Sequence, residues 1–273
     1  MKRGGGFTAT LVNLSRVLGS ALVSEGVARQ SGLMQSLDPR ARLAGSFSLV
    51  LAVALSHTLA AILCVLAAAV VLALLSRVSI TVLTTRVWLP VLFFTGVIAL
   101  PALIVTPGTT VPAFRSLGLH ITAQGLHSAA LLVLRVETAA TLTALLVLTT
   151  PWMHVLKALR WFRVPQEVIM MLAMTHRYVF LLAETAGQMF ESRQSRTVGV
   201  LDCAARRQIT ARTAGVLLSK SLELSSEVFL AMQSRGFRGD ARVLVDLRLR
   251  PRDYLGLSAF LVFGILAVWM GRP

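Results

Sequence analysis

The stretch LAGSFSLVLAVALSHTLAAILCVLAAAVVLALL, residues 43–75, contains no charged side chain and decides the class of the fold. As one straight helix it would be about 50 Å long, whereas the hydrocarbon core of a bilayer is about 30 Å thick. The apolar pattern is interrupted only at Ser56-His57-Thr58. We therefore expect two short membrane spans joined by a tight turn at His57.

Basic residues flank this stretch on both sides. Arg40 and Arg42 precede it, and Arg77 follows it. A hairpin places all three on one face of the membrane, and the positive-inside rule makes that face cytoplasmic.

The composition of the whole chain agrees with a membrane protein. Hydrophobic residues make up 55% of the chain and charged residues only 14%, which is too apolar for a soluble domain of this length. The net charge of +15 is concentrated between the apolar runs, as positive-inside topology requires. Because the sequence has no aromatic-rich basic patch, we expect no nucleic-acid partner.

Three further apolar runs predict three further spans, at residues 87–105, 126–150 and 254–270. The first contains Pro90 and Pro101, which kink a membrane helix unless neighbouring helices cover the break. The segment from Thr106 to about Ala123 is predicted to be a loop or short strand outside the membrane. The sequence thus predicts an all-α integral membrane protein with about five transmembrane helices.

Two charged residues, Arg135 and Glu137, fall inside the predicted span 126–150. Charges at membrane depth are costly and usually face protein or water. Either Arg135 makes a polar contact inside the protein assembly, or it reaches toward the outer interface from the first half of the helix.

Residues 151–253 differ in character, because they carry nine of the twelve acidic residues and many basic ones. Apolar residues recur there at three- and four-residue steps, which predicts helices at 165–196 and 207–235. Pro165 suits a helix start and Gly236 a helix stop. The predicted domains are an interfacial N-terminal segment 1–42, transmembrane helices 43–150, a cytoplasmic helical domain 151–253, and a last span with the C-terminus, 254–273.

The N-terminal residues combine an amphipathic spacing, Leu11, Leu14, Leu18 and Leu22, with interspersed arginines. This pattern is typical of an interfacial helix on the inner leaflet. The N-terminus has neither a continuous apolar core nor a small-residue cleavage site, so we expect no secretory signal peptide.

No pattern in the sequence supports an enzyme. The five histidines have no metal-ligand spacing, and neither a P-loop nor a hydrolase motif is present. Cys64 lies in an apolar run and Cys203 in the charged region, so a disulfide is not expected. We therefore predict a non-enzymatic chain with no cofactor and no metal site of its own.

The run Met232-Gln-Ser-Arg-Gly-Phe-Arg238 is a candidate docking element. An arginine at a helix end offers a planar fork of donors that pairs with a carboxylate on a partner. The same residues also fit a helix C-cap with solvated arginines, and spacing alone does not separate the two interpretations. Arg196, in Gln194-Ser-Arg-Thr197, occupies a similar helical setting.

Several segments in order along the chain make it resemble the transmembrane coupling (T) component of energy-coupling factor transporters, of the CbiQ type found in cobalt and nickel systems. The resemblance covers most of the chain, from about Leu37 to Asp253. The segments are Leu37-Asp-Pro-Arg-Ala-Arg-Leu43, Leu148-Thr-Thr-Pro-Trp152, Met174-Thr-His-Arg-Tyr-Val-Phe-Leu-Leu182, Ser192-Arg-Gln-Ser-Arg-Thr-Val-Gly199 and Ala231-Met-Gln-Ser-Arg-Gly-Phe-Arg-Gly239.

The resemblance implies that residues 151–253 form a cytoplasmic coupling domain. Its two helices would end in short motifs, Ser195-Arg196-Thr197 and Ser234-Arg235-Gly236, that sit in grooves of two ATPase subunits. Each arginine would pair with an acidic group. Ser replaces the family's Ala in both motifs, and Thr197 replaces Gly in the first, so the first contact would differ in geometry.

The function implied by the resemblance is that of a coupling subunit in an ABC-type importer of the bacterial inner (plasma) membrane. It would pass ATPase movement to a membrane substrate-binding (S) subunit, which would hold the cargo. Cobalt is the first expectation, with nickel or a vitamin as alternatives. A self-contained secondary carrier would instead require internal repeats and midplane polar residues, and a third class is a membrane scaffold with no transport role.

Overall fold

The structure is a computed structural model that describes residues 32–105, 122–197, 202–237 and 251–272. Within these ranges the chain is all-α, as predicted. A π-helical segment, Thr84–Trp88, joins the α-helix Ile80–Leu83 to the α-helix Leu89–Val105 without a break. In chain order the helices are α1 (Leu33–Ser36), α2 (Pro39–Leu55), α3 (Leu59–Leu75), α4 (Ile80–Leu83), α5 (Leu89–Val105), α6 (Ala123–Thr149), α7 (Trp152–Trp161), α8 (Gln166–Arg196), α9 (Cys203–Ser234) and α10 (Pro251–Met270).

The chain divides into two compact units. The membrane unit has the described residues 32–105, 122–158 and 251–272, and so contains α1–α6, α10 and the first part of α7. The two-helix unit has the described residues 159–197 and 202–237, and contains α8 and α9. The predicted domain limits at residues 42, 150 and 253 stay predictions.

The structure confirms two helices joined by a short connection at residues 43–75, and that they span the membrane stays a prediction. Helices α2 and α3 each have 17 residues, and only Ser56, His57 and Thr58 separate them. Among the described residues, four helical stretches are long and apolar enough to cross a membrane: Ile80–Pro101, Ala123–Thr149, Gln166–Arg193 and Pro251–Met270. Three of these match the predicted later spans, and the fourth is most of α8, which the sequence assigned to the cytoplasm.

Helices α2 and α10 run parallel and in register along their whole length. Asp38 faces Asp253 at one end, Gly45 lies against Phe260 in the middle, and Ser56 lies against Gly271 at the other end. The numbering differs by 215 at each point, because both helices rise by the same amount per residue. At the far end His57 N–H donates to the Gly271 carbonyl at 2.9 Å.

Helix α6 runs antiparallel to α2 and is tied to it at two levels. Arg42 Nη1 donates to the Thr149 carbonyl at 2.7 Å, and Arg135 Nη2 donates to the Ser56 carbonyl at 2.7 Å. Ser56 is fully buried at the end of α2, where helix carbonyls lack intrahelical partners. Of the two interpretations of Arg135, the polar contact inside the protein is therefore the one that the structure supports.

The interior of the membrane unit is made of aliphatic side chains and threonines. The core includes Leu49, Val53, Ile62 and Val65, together with the fully buried Thr138 and Thr141 on α6, which donate to carbonyls four residues earlier. Large apolar side chains point outward instead, such as Phe93 and Phe94 on α5, which are 74% and 68% exposed. This distribution suits helices whose outer faces contact lipid.

One end of the membrane unit is held by buried polar side chains, which we call the polar node: Asp38, Arg42, Thr149, Thr150 and Asp253. Asp38 N–H donates to Asp253 Oδ1 at 2.7 Å, and the Arg42 guanidinium reaches Thr149 and Thr150. Asp38 also caps α2, because its Oδ1 accepts from Arg40 N–H at 2.9 Å. The sequence treated Arg42 only as a topology signal, yet its side chain is buried.

Helix α7 was not predicted as a separate element. It begins directly after Pro151, and its residues Leu156 and Ala158 are buried. Burial lowers the pKa of His154 on this helix, and the positive charges of Lys157 and Arg42 lower it further. His154 is therefore neutral at pH 7 and adds no positive charge beside Arg42.

Two predictions lie outside the described residues. One is the amphipathic interfacial helix near the N-terminus, which falls within residues 1–31. The other is the external segment after Thr106, most of which falls within residues 106–121.

The close packing of α2 on α10 gives a testable prediction at Gly45. A Cβ added there would lie 2.5 Å from the Phe260 ring, whereas one added at Gly264 would be in ordinary contact with Ala52 at 3.6 Å. We expect Gly45→Ala to destabilise the protein by about 1–3 kcal/mol, because the buried Phe260 side chain would have to shift. Gly264→Ala is the matched control and should be neutral or slightly stabilising.

The measurement is the thermal unfolding midpoint of the two variants in the same detergent. Adding Phe260→Ala to Gly45→Ala should remove the penalty specific to the first substitution. Equal midpoints for Gly45→Ala and Gly264→Ala would contradict the packing described here.

Candidate functional site

Helix α8 carries the first predicted motif at its C-terminal end. It follows Pro165 and runs for 31 residues, with Glu167 in the first turn and Arg193 and Arg196 in the last. Acidic side chains near the N-terminus and basic ones near the C-terminus oppose the helix dipole, so the charge pattern itself favours a helix with these limits. The predicted helix at residues 165–196 is confirmed.

In the first motif the hydroxyl groups bond to the helix and the arginine does not. Ser195 Oγ donates to the Glu191 carbonyl at 3.1 Å, and Thr197 Oγ1 donates to the Arg193 carbonyl at 2.8 Å. Arg196 is exposed, and its guanidinium has no hydrogen bond or ion pair to any residue that the structure describes. Arg196 is thus the group in this motif that is free to meet a partner.

Helix α9 carries the second motif and ends in a Schellman cap. Phe237 N–H donates to the Met232 carbonyl at 3.0 Å, and Gly236 N–H donates to the Gln233 carbonyl at 2.9 Å. Gly236 has a φ of +81°, in the left-handed region where side chains are strained. The C-cap interpretation of this run is therefore confirmed as local geometry.

The cap leaves the arginine of the second motif on the surface. Arg235 is the C-cap residue, and Ser234, Arg235 and Gly236 are all exposed. Ser234 Oγ donates to the Ala231 carbonyl at 2.9 Å, whereas the Arg235 guanidinium has no hydrogen bond or ion pair within the described ranges. A helix cap and a docking surface are compatible here, because the cap fixes the backbone from which Arg235 projects.

The two motifs lie far apart, although the sequence treated them as a pair. From Cys203 to Arg235 helix α9 rises about 48 Å, whereas the chain from Arg196 to Cys203 reaches at most about 25 Å. The Cα atoms of Arg196 and Arg235 are therefore separated by at least about 20 Å. One small partner groove does not accommodate both, so they suit two separate contacts.

An exposed apolar stripe runs along α9, and the sequence predictions missed it. Leu218, Leu222 and Phe229 are 63%, 64% and 53% exposed and share one helix face, because they are spaced by four and seven residues. Met171 and Val179 on α8 are also more than half exposed. The spacing was present in the sequence, but it did not reveal that these side chains are exposed.

The membrane unit and the two-helix unit offer no clustered metal ligands among the residues described. No three His, Cys, Asp or Glu side chains gather where a metal ion could bind. Cys64 and Cys203 are both free and exposed thiols.

Comparison with known proteins connects this geometry to a family. The sequence model of the CbiQ family, described as cobalt transport protein, matches residues 30–245. The cobalt transport protein CbiQ of Rhodobacter capsulatus is 33% identical over 202 residues, which cover 72% of this chain and 80% of that protein.

Two other relatives extend the comparison. An uncharacterised protein of Methanocaldococcus jannaschii is 28% identical over 263 residues, covering 95% of this chain and 89% of its own length. The nickel permease LarQ of Lactiplantibacillus plantarum is 31% identical over 122 residues, covering 45% of this chain and 44% of the permease.

The Schellman cap gives a prediction that pairs two glycines of α9. Gly236→Ala places a Cβ at a positive φ, and we expect it to destabilise the end of α9 by about 1–2 kcal/mol. Gly215→Ala is the matched control, because a Cβ there meets nothing within 4 Å and Ala favours the helix by about 1 kcal/mol.

Amide hydrogen exchange measures both effects locally. The amides of Gly236 and Phe237 should exchange faster in Gly236→Ala and should not exchange faster in Gly215→Ala. Unchanged protection in Gly236→Ala would show that the cap does not hold in solution.

Proposed function

Because this chain belongs to the CbiQ family of cobalt transport proteins, we propose that it is the transmembrane coupling component of an energy-coupling factor importer. It is an integral membrane component of a cobalt or nickel transport system. The finer proposal is that it hydrolyses nothing itself, and that it passes the movement of two ATPase subunits to a membrane subunit that binds the cargo.

The observation that carries this proposal is a pair of arginines at helix ends whose guanidinium groups have no partner among the described residues. Arg196 and Arg235 are exposed, and each terminates a helix of more than 30 residues. Guanidinium groups recognise carboxylates through two parallel hydrogen bonds, which fixes the direction as well as the strength of a contact. Their separation of at least about 20 Å supports one contact with each of two ATPase subunits.

The proposed mechanism uses the stiffness of α8 and α9. Ser195, Thr197 and Ser234 bond back to their own helices, so they support the arginines rather than compete with them. When the ATPase subunits close on ATP, Arg196 and Arg235 follow their carboxylate partners, and the helices move with them. A continuous helix transmits this displacement along its length, because its backbone hydrogen bonds resist local bending.

The apolar stripe on α9 supports a contact with the substrate-binding membrane subunit. Leu218, Leu222 and Phe229 expose apolar surface with nothing in the described chain to cover it. Contiguous exposed apolar surface of this kind marks an interaction site in most proteins. We propose that this subunit, which would carry the cargo ion, packs on the stripe and tilts when α9 moves.

Cobalt is the proposed cargo, because both the matched family and the Rhodobacter capsulatus relative are described as cobalt transport proteins. The Lactiplantibacillus plantarum relative is a nickel permease and makes nickel the second candidate. Uptake of radiolabelled cobalt and nickel by the reconstituted complex separates the two, since the preferred ion should compete out the other.

We place the two-helix unit in the cytoplasm of a bacterial-type inner membrane. Helix α8 is long and apolar enough to span a bilayer, but it carries Arg177 and Glu184 in its central part. Charges at that depth are costly in a bilayer and cost little in a helix beside ATPase subunits. The basic flanks Arg40, Arg42 and Arg77 support the same orientation.

Charge reversal at Arg235 tests the ATPase contact. We expect Arg235→Glu to abolish cobalt uptake and to weaken ATPase association by about 2–5 kcal/mol, because it puts a carboxylate opposite a carboxylate. The measurement is co-purification of the ATPase together with cobalt uptake in vesicles. Arg196→Glu should act in the same direction.

Arg212→Glu is the matched control, because Arg212 is an exposed arginine in the body of α9. Arg212→Glu should leave ATPase co-purification and cobalt uptake near the wild-type level. Normal cobalt uptake in Arg235→Glu would show that Arg235 has no role in coupling. An equal loss of uptake and ATPase association in Arg212→Glu would show that the change in net charge alone causes the effect.

The native cysteines test the orientation. Cys203 is the first residue of α9 and is exposed, whereas Cys64 lies inside the apolar helix α3. A membrane-impermeant maleimide should label Cys203 in inside-out vesicles and leave it unlabelled in right-side-out vesicles. Cys203→Ser should remove the signal and Cys64→Ser should retain it. Labelling of Cys203 from the outer side would contradict the proposed cytoplasmic location.

A further inference from the structure

The polar node is built around a buried guanidinium. Arg42 is only 4% exposed, and its side chain makes four hydrogen bonds to the chain around it. Nε donates to the Leu37 carbonyl at 2.8 Å, and Nη2 donates to the Gln35 carbonyl at 3.2 Å. Nη1 donates to the Thr149 carbonyl at 2.7 Å and to Thr150 Oγ1 at 3.4 Å. A single side chain thus ties the segment before α2 to the end of α6.

The charges of the node match the polarity of the helix ends that meet there. Arg42 lies at the C-terminal end of α6, where unpaired carbonyls give a partial negative charge. Asp38 lies at the N-terminal end of α2, and Asp253 in the first turn of α10, where unpaired N–H groups give a partial positive charge. Arg42, Asp38 and Asp253 are all at least nine-tenths buried, so solvent does not weaken these interactions.

Residues of the node lie close in sequence to both points at which the chain passes between the membrane unit and the two-helix unit. The chain enters the two-helix unit after Ala158 and returns to the membrane unit at Leu247. Thr149 and Thr150 lie shortly before the first connection, and Asp253 lies shortly after the second. Both connections are therefore attached, within ten residues, to the N-terminal end of α2.

Packing extends this attachment from one end of α2 and α10 to the other. From the node, α2 and α10 stay in contact through Gly45 and Phe260 to Ser56 and Gly271 at the other end. Helix α6 is bonded to α2 at the node and again through Arg135 and Ser56. Helices α2 and α10 are in contact from end to end, and α6 is bonded to α2 at two levels, so the three helices move as one body over that length.

We infer that the polar node is a clamp that makes α2, α6 and α10 follow the displacement of the two-helix unit, with Arg42 as its positioning residue. Without the clamp, a pull on either connection would unwind the end of α6 or α10 locally, and the displacement would be lost there. The role rests on the proposed coupling function, and it assigns the node to energy transmission rather than to cargo binding or ATPase docking.

The test uses the assembled complex of this chain with its ATPase and substrate-binding subunits in vesicles, with cobalt ion as the cargo. The readout is the number of cobalt ions taken up per ATP hydrolysed by assembled complex. We expect Arg42→Lys to lower this ratio between about twofold and thirtyfold, the range typical of side chains that carry coupling between two sites. A lysine keeps the charge and lacks the fork that reaches both chain segments.

Asp253→Asn is the second variant, because it keeps an oxygen that accepts from Asp38 N–H and removes only the charge at the start of α10. It should also lower the ratio, without preventing assembly. Arg252→Met is the matched control, since Arg252 is the exposed neighbour of Asp253, and it should leave the ratio unchanged.

The outcomes are distinct. If Asp253→Asn forms fewer complexes but keeps the wild-type number of cobalt ions taken up per ATP hydrolysed, the node is only structural and the proposal is overturned. This outcome is decisive even if Arg42→Lys does not assemble. An equal fall in Arg252→Met would overturn the proposal as well. Failure of the proposed function itself looks different, because the wild-type chain would then neither bind the ATPase nor support ATP-driven cobalt uptake.

Discussion

A buried helix end needs partners for its polar backbone groups, and Arg42 supplies them where α6 ends beside the start of α2. Its guanidinium bonds the carbonyls of Gln35, Leu37 and Thr149, and so joins the approach to α2 to the end of α6. Asp253, in the first turn of α10, completes the arrangement because its carboxylate accepts a hydrogen bond from Asp38 N–H. The parallel register of α2 and α10 starts from this contact, and the offset of 215 recurs where Gly45 meets Phe260 and where Ser56 meets Gly271. Buried charges of this kind are weak evidence for stability and better evidence for a fixed arrangement.

Features of the fold that depend on local sequence could be predicted. The lengths of the apolar runs predicted the hairpin, its break at His57 and the all-α class, because a backbone in lipid must pair its polar groups internally. Pro165 and Gly236 gave the helix limits of α8 and α9 within a few residues, because their backbone preferences act locally. Contacts between distant residues could not be predicted: nothing in the sequence near Arg42 indicates that Asp253, more than 200 positions away, closes the same cluster.

In the candidate site, too, local geometry could be predicted from the sequence and exposure could not. A short Ser-Arg-Gly run was equally compatible with a helix cap and with a docking motif, and the structure shows that the cap forms and that Arg235 remains exposed. The apolar stripe on α9 was harder to recognise, because the spacing of Leu218, Leu222 and Phe229 is also typical of core positions, and only the structure shows that all three are exposed. Exposure is a property of the whole fold, and spacing along one helix does not determine it.

The short hairpin has a consequence for the surrounding lipid. Helices α2 and α3 have 17 residues and rise about 26 Å, whereas α6 has 27 residues and rises about 40 Å. The hairpin ends at the level of Arg135, so the first dozen residues of α6 extend past it. Such hydrophobic mismatch draws headgroups and water inward on the side where the helices are short. We therefore expect the bilayer to be thinner on the side where the hairpin of α2 and α3 turns.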